Sequence, residues 1–194
     1  GKPEIISCTF KSNVSAAINS AANSAVAPII EDCTFQFNGT SVVNKPQINL
    51  GPSGTDTTII RNNFVEGHPD NTLSGGIGFS LLFGGEGHVV IEDNEVFNNR
   101  YGVAVLGNNV TSLIAGNTIY DNDTQDDPMQ GGSGINLFAS ASNHAVITEN
   151  EITGNLWGIT LQGTATANLG DTTETNFNPG MNLFEDNGNG GEIY

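Results

Sequence analysis

The run Val89-Val90-Ile91-Glu92-Asp93-Asn94-Glu95-Val96-Phe97-Asn98-Asn99-Arg100-Tyr101-Gly102-Val103-Ala104-Val105 holds three short apolar segments separated by polar corners. Each segment is too short for a helix and alternates as a strand does. Its skeleton, apolar-x-x-Asn-x-apolar-x-x-Asn, returns seven times, anchored on Cys8, Cys33, Asn62, Asn94, Asn117, Asn150 and Asn182. Three residues before the anchor stand Ile5, Ile30, Ile59, Ile91, Ile114 and Ile147, with Pro179 breaking the series. Two residues after it come Phe10, Phe35, Phe64, Val96, Ile119, Ile152 and Phe184; five after it come Asn13, Asn38, Gly67, Asn99, Asn122, Asn155 and Asn187. Successive anchors lie 25, 29, 32, 23, 33 and 32 residues apart, the length of one solenoid coil with insertions.

Three strands per repeat, each stacking on its equivalent in the next repeat, wind parallel sheets into a prism. The strand after the second corner has the form Gly-apolar-x-apolar, as in Gly76-Ile77-Gly78-Phe79, Gly102-Val103-Ala104-Val105, Gly134-Ile135-Asn136-Leu137 and Gly158-Ile159-Thr160-Leu161. At the anchor corner an Asn amide bonds both backbone and the Asn one coil above, which makes an inward ladder. Removing the middle rung Asn117 should therefore cost more than truncating Asn122, which this reading leaves outside the ladder. Cys8 and Cys33 share one repeat position in consecutive coils. Stacked strands about 4.8 Å apart permit a disulfide there, and the alternative is two small residues standing in for the Asn.

The pattern resembles the right-handed parallel β-helix of the pectate-lyase-like superfamily, whose repeats carry the same Asn corner and Gly-apolar-x-apolar strand. The likeness runs from about Ile5 to Asn187. It implies an all-β, single-stranded solenoid of about seven coils, one domain over residues 1–194. It implies no single reaction, because members include polysaccharide lyases, glycoside hydrolases, alginate epimerases and repeat proteins with no known reaction. It does imply a place for substrate, along the sheet of Gly-apolar-x-apolar strands. The loops flanking that sheet lengthen at Glu66–Ser74, Asp123–Gly132 and Gly163–Asn176.

Composition narrows the partners. The formal charge is −16 with only five Lys and Arg, so the basic track that nucleic acid needs is missing. Cations and neutral or basic polymers suit this surface better. No apolar run reaches transmembrane length, which argues against membrane insertion. No signal peptide is visible, and the start at Gly1-Lys2-Pro3 reads as a domain cut from a longer exported protein. A secreted, periplasmic or cell-surface location is the expectation.

Several residues carry candidate chemistry. Asp121, Asp123, Asp126 and Asp127 crowd one inserted loop and offer oxygens to Ca²⁺, or form a solvated acidic loop. Asp126-Asp127 is similar to the paired aspartates of polygalacturonase-type hydrolases, but the companion Asn-Thr-Asp and Gly-His-Gly motifs are missing. Tyr101-Gly102-Val103 is similar to the start of an alginate-epimerase motif, but its Asp and His do not follow. Arg100, at the mouth of the expected binding sheet, is a candidate base or a partner of Asp123. His68 is the one histidine in an inserted loop; His88 and His144 read as corner residues. Arg61 falls between Asp32 and Asp93 in an ion ladder.

Tyr101 and Trp157 precede the strand glycine two coils apart, about 9.6 Å along the axis. With Asn136 and Thr160 beside them they suit a sugar chain, or they shield the sheet edge. Val65, Phe97 and Tyr120 are expected to form an outward stripe for a neighbouring domain or protomer. Two functions fit. One is a carbohydrate-active module contacting polysaccharide; the other is a non-catalytic structural or adhesive repeat. They separate on whether Arg100, His68 and the 121–127 carboxylates converge on one cleft.

Overall fold

A chain that returns every 23 to 33 residues to the same polar corner must stack its strands in parallel, and it does. A computed structural model describes residues 1–41, 44–127, 129–171, 173, 175 and 177–188. Among these residues there is no α-helix, and most strands are three to six residues long. The first face stacks Glu4–Ile6, Ile29–Glu31, Thr57–Arg61, Gly87–Glu92 and Val110–Ala115. The second is a seven-stranded sheet running from Thr9–Lys11 to Leu183–Glu185. The third stacks Ile18–Asn19, Ile48–Leu50, Ile77–Leu81 and Val103–Gly107.

The long strand Ser133–Thr148 begins on the third face and ends on the first, bending at a register shift between Ala139 and Asn143. That continuity joins the two faces into one 11-stranded sheet. The chain completes about six turns, and the seventh is only begun. Inside, Ile30, Ile60, Ile91, Ile114 and Ile147 from the first face meet Phe35, Val65, Val96, Ile119 and Ile152 from the second, all fully buried.

The Asn ladder is present, one residue out of the expected frame at its third rung. Asn63, not Asn62, is the rung: its Nδ2 donates to Asn94 Oδ1 at 2.9 Å. The series continues through Asn94 to Asn117 and Asn117 to Asn150 at 2.9 Å each, then Asn150 to Asn182 at 3.0 Å. Two consecutive asparagines allow both frames, and core packing selects one. It places the β-branched Ile60 and Val65 inside and leaves Ile59 and Phe64 outside. Asn62 takes the left-handed slot before the rung (φ 55°), as Asp32 (54°) and Asp93 (53°) do in neighbouring coils.

Two expectations change with that shift, and a third changes independently of it. Val65 belongs to the core, so the outward aromatic row is Phe64, Phe97 and Tyr120, with ring centroids 5.2 and 4.8 Å apart. Arg61 aligns with Glu31 and Glu92 rather than Asp32 and Asp93, and it bonds Glu31 at 2.9 Å. Asn122 is no exposed control: it is fully buried in a second ladder, Asn99 to Asn122 to Asn155 to Asn187, at 3.1, 3.2 and 3.1 Å.

The second ladder has a gap in the third coil, where the inserted 66–74 segment displaces the asparagine. Gln47 reaches in to fill it, accepting from Asn38 Nδ2 at 2.8 Å and donating to Ser74 Oγ at 3.2 Å. Gln47 keeps the Asn38 amide paired at the break, while on its other side the buried Asn99 Oδ1 has no partner among the described residues. The expected loop at Gly163–Asn176 is also revised. Its first residues extend the strand Trp157–Asn168 round the corner, paired with Asn143–Val146.

Candidate functional site

On the third face side chains alternate inward and outward, and register fixes which outward residues stand side by side. Ala104, Asn136 and Thr160 form one row; Leu106, Phe138 and Gln162 form the next. Ser133 pairs with Trp157, and Tyr101 precedes the same strand one coil earlier. A cleft of about 500 Å³ lies over these rows, lined by Arg100, Tyr101, Asn136, Trp157 and Thr160 together with Gln162. All four sequence-predicted binding residues, and Arg100 with them, therefore meet in one place. Met129, Gln130 and Gly131 from the inserted loop make one wall, and Asn44 closes another side.

The floor is a short hydroxyl and amide network. Thr160 Oγ1 donates to Asn136 Oδ1 at 3.0 Å and lies 2.9 Å from Ser133 Oγ, so the Ser133 hydroxyl is the donor in that second bond. Asn136 lines the cleft, and among the described residues nothing accepts from its amide nitrogen or from that of Gln162, which is exposed.

Tyr101 is half-buried, its ring laid over Gly75, where an added Cβ would sit 2.1 Å from Tyr101 Cζ. Glycine is required there by the close approach of the ring. Burial pushes the Tyr101 phenol up to about 12, with a smaller opposing pull from Arg100. The Arg100 guanidinium carbon stands 5.9 Å from the ring centroid, at the outer limit of a cation–π contact. Tyr101 is thus a fixed wall of the cleft rather than an open platform.

Arg100 is a strut. Its Nε donates to the Gln130 carbonyl at 2.7 Å, and its own carbonyl accepts from the Gly132 N–H at 2.7 Å. No ion pair with Asp123 forms. Asp127 uses both carboxylate oxygens within the loop, accepting from the Met129 N–H and from Gln130 Nε2. Desolvation, then the charges of Asp121 and Asp126, raise Asp123 above its ordinary value. No group of three or more His, Cys, Asp or Glu arranged to hold a metal ion occurs among the described residues.

His68 lies outside this cleft, with Nδ1 accepting from the Asp70 N–H at 3.0 Å. The catalytic candidates therefore scatter: Arg100 lines the cleft, while His68 and the 121–127 carboxylates do not. His88 and His144 are not at corners. They stand on first-face strands, each paired with a threonine, Thr111 at 2.6 Å and Thr166 at 2.9 Å. They border a shallow groove of about 430 Å³ over Val90, Leu113 and Val146.

Sequence reasoning missed Leu106, Gln130, Gln162 and Asn44 in the cleft. The period of two would have reached Leu106 and Gln162, which stand two residues beyond Ala104 and Thr160 on the same face. Nothing local marks Asn44, which arrives from another coil. The family model described as right-handed β-helix region matches residues 1–191. No curated protein and no solved structure matches the chain.

Proposed function

The chain belongs to the right-handed β-helix family, and from that premise we propose that it is a module contacting polysaccharide through the third-face cleft. The observation that carries this reading is the convergence of Tyr101, Asn136, Trp157 and Thr160 on one cleft of about 500 Å³. Aromatic walls beside unpaired amides match a sugar, which presents apolar C–H faces and a rim of hydroxyls. Among the described residues the lining contains no carboxylate and no imidazole, so they offer no acid–base pair for glycosidic cleavage there. Binding is therefore favoured over catalysis. A neutral polymer is favoured over a polyuronate, given a net charge of −16. An extracellular or cell-surface setting, where such polymers are met, goes with this reading.

Affinity electrophoresis against a panel of neutral and acidic polysaccharides tests it, run with and without Ca²⁺ and alongside a digestion screen. The parent protein is retarded by at least one neutral polymer, releases no oligosaccharide, and loses retardation in the Tyr101→Ala/Trp157→Ala double variant. Each ring contributes about 1 kcal/mol, so the double variant binds roughly 30-fold more weakly. Unchanged retardation of that variant moves the site elsewhere. A parent that binds nothing on the panel favours the structural or adhesive module.

A further inference from the structure

The first two rungs of the first ladder are thiols. Cys8 and Cys33 are in register on consecutive coils, since Ile6 pairs with Glu31 and Thr9 with Thr34. The Cys8 N–H donates to Cys33 Sγ at 3.4 Å, as the Asn63 N–H donates to Asn94 Oδ1. Cys33 Sγ–H in turn faces the carbonyls of Glu31 at 3.1 Å and Ile5 at 3.4 Å, the places an Asn amide fills elsewhere. Both are free thiols, Cys8 exposed and Cys33 only 2 % exposed.

We propose that Cys8 and Cys33 form a two-electron thiol–disulfide pair that staples the first coil to the second. In-register parallel neighbours stand about 4.8 Å apart, inside the Cα separation a disulfide spans. The difference in exposure assigns the roles. Burial pushes the Cys33 thiol up from its ordinary value, so the first attack belongs to Cys8.

The oxidant is a low-molecular-weight disulfide. The Cys8 thiolate attacks one of its sulfurs, forming a mixed disulfide and releasing one small thiolate. The Cys33 thiolate then attacks Cys8 Sγ, forming the Cys8–Cys33 bond and expelling the second thiolate. The small disulfide gains two electrons and takes up the two thiol protons, leaving as two thiols.

The bond joins two coils that differ in burial: Ile5, Phe10 and Ile18 of the first are partly buried, and their counterparts Ile30, Phe35 and Ile48 are fully enclosed. Linking the less buried coil to its neighbour makes the two open together.

The test treats native protein with oxidised glutathione, quenches with acid and reads intact mass. The parent loses two hydrogens, stays monomeric and retains no glutathione. Cys33→Ser gains one glutathione, held at Cys8 with nothing to displace it. In Cys8→Ser, alkylation of the native Cys33 is about tenfold or more slower than alkylation of Cys8 in Cys33→Ser. In limited proteolysis, cleavage within residues 1–24 slows about tenfold in the oxidised parent. A parent that retains glutathione, that links into dimers, or that keeps both thiols while Cys33→Ser reacts overturns the proposal. Circular dichroism checks that each variant keeps its β-sheet. Should Cys33→Ser unfold, the mass of the oxidised parent decides, together with alkylation of Cys33 in Cys8→Ser being slower than the first alkylation of the reduced parent.

Discussion

At the scale of single residues, the frame at Asn62-Asn63 makes a sharp test because the two neighbours have opposite roles. Asn63 accepts from the Cys33 N–H and donates to Asn94 and to the Ile30 carbonyl. Asn63→Leu strands those partners at about 1–3 kcal/mol per buried group, whereas Asn62→Gly keeps the left-handed slot and stays within about 0.5 kcal/mol of the parent. Urea midpoints decide it, and equal shifts would return the ladder to the other frame. The sequence carried the rung chemistry but not this frame, since choosing it takes the demand of Ile60 and Val65 for the core.

A second residue-scale prediction concerns alkali. Tyr101 and Tyr120 are both pushed up to about 12 from 10.0, each by desolvation first, and Tyr120 also by its bond to Glu95 at 2.8 Å. The folded protein holds these phenol protons longer than the unfolded chain. Stability is therefore intact below about pH 10 and falls as pH climbs toward about 12. Urea midpoints from about pH 9 to about pH 11.5 should decline, and less steeply in Tyr120→Phe. A flat profile would show the phenols unperturbed.

Among the elements, the wall of the cleft depends on one side chain. The 123–132 loop is tied at its far end by the two Arg100 bonds to Gln130 and Gly132 and carries Met129, 90 % exposed, at its lip. Only one of those bonds uses the guanidinium. Arg100→Ala is expected to speed proteolysis within 125–131 and weaken polysaccharide retardation, while moving the thermal midpoint by no more than about 2 °C. A large midpoint shift with unchanged loop cleavage would make Arg100 a support of the coil instead. The sequence located this loop by its length and charge but offered Arg100 as a base or as a partner of Asp123. Backbone carbonyls leave no trace in composition, so the Gln130 carbonyl could not be read as the partner. The outgoing side failed for a related reason. Gly163 to Asn168 looks polar enough for a loop, yet strand Ser133–Thr148 supplies a paired edge for it.

For the whole molecule, charge sets the terms on which any polymer approaches. The solenoid carries −16 with five basic side chains, of which Lys2 and Arg61 are held by Asp56 and Glu31. Among the described residues Arg100 is the one cationic group lining the cleft. A polyanion must therefore approach against the field of the whole surface, and one guanidinium already engaged with a carbonyl is a weak counterweight. A neutral polymer experiences none of this. Screening shortens the reach of charge from about 10 Å at about 0.1 M salt to about 3 Å at about 1 M, so salt separates the two cases. Retardation by the neutral polymer is expected to stay constant within about twofold between about 0.05 M and about 0.5 M sodium chloride. Any polyuronate retardation should strengthen over the same range as repulsion is screened. Retardation that instead weakens with salt would mean that attraction dominates, assigning Arg100 an anionic sugar group and replacing the neutral polymer with an acidic one.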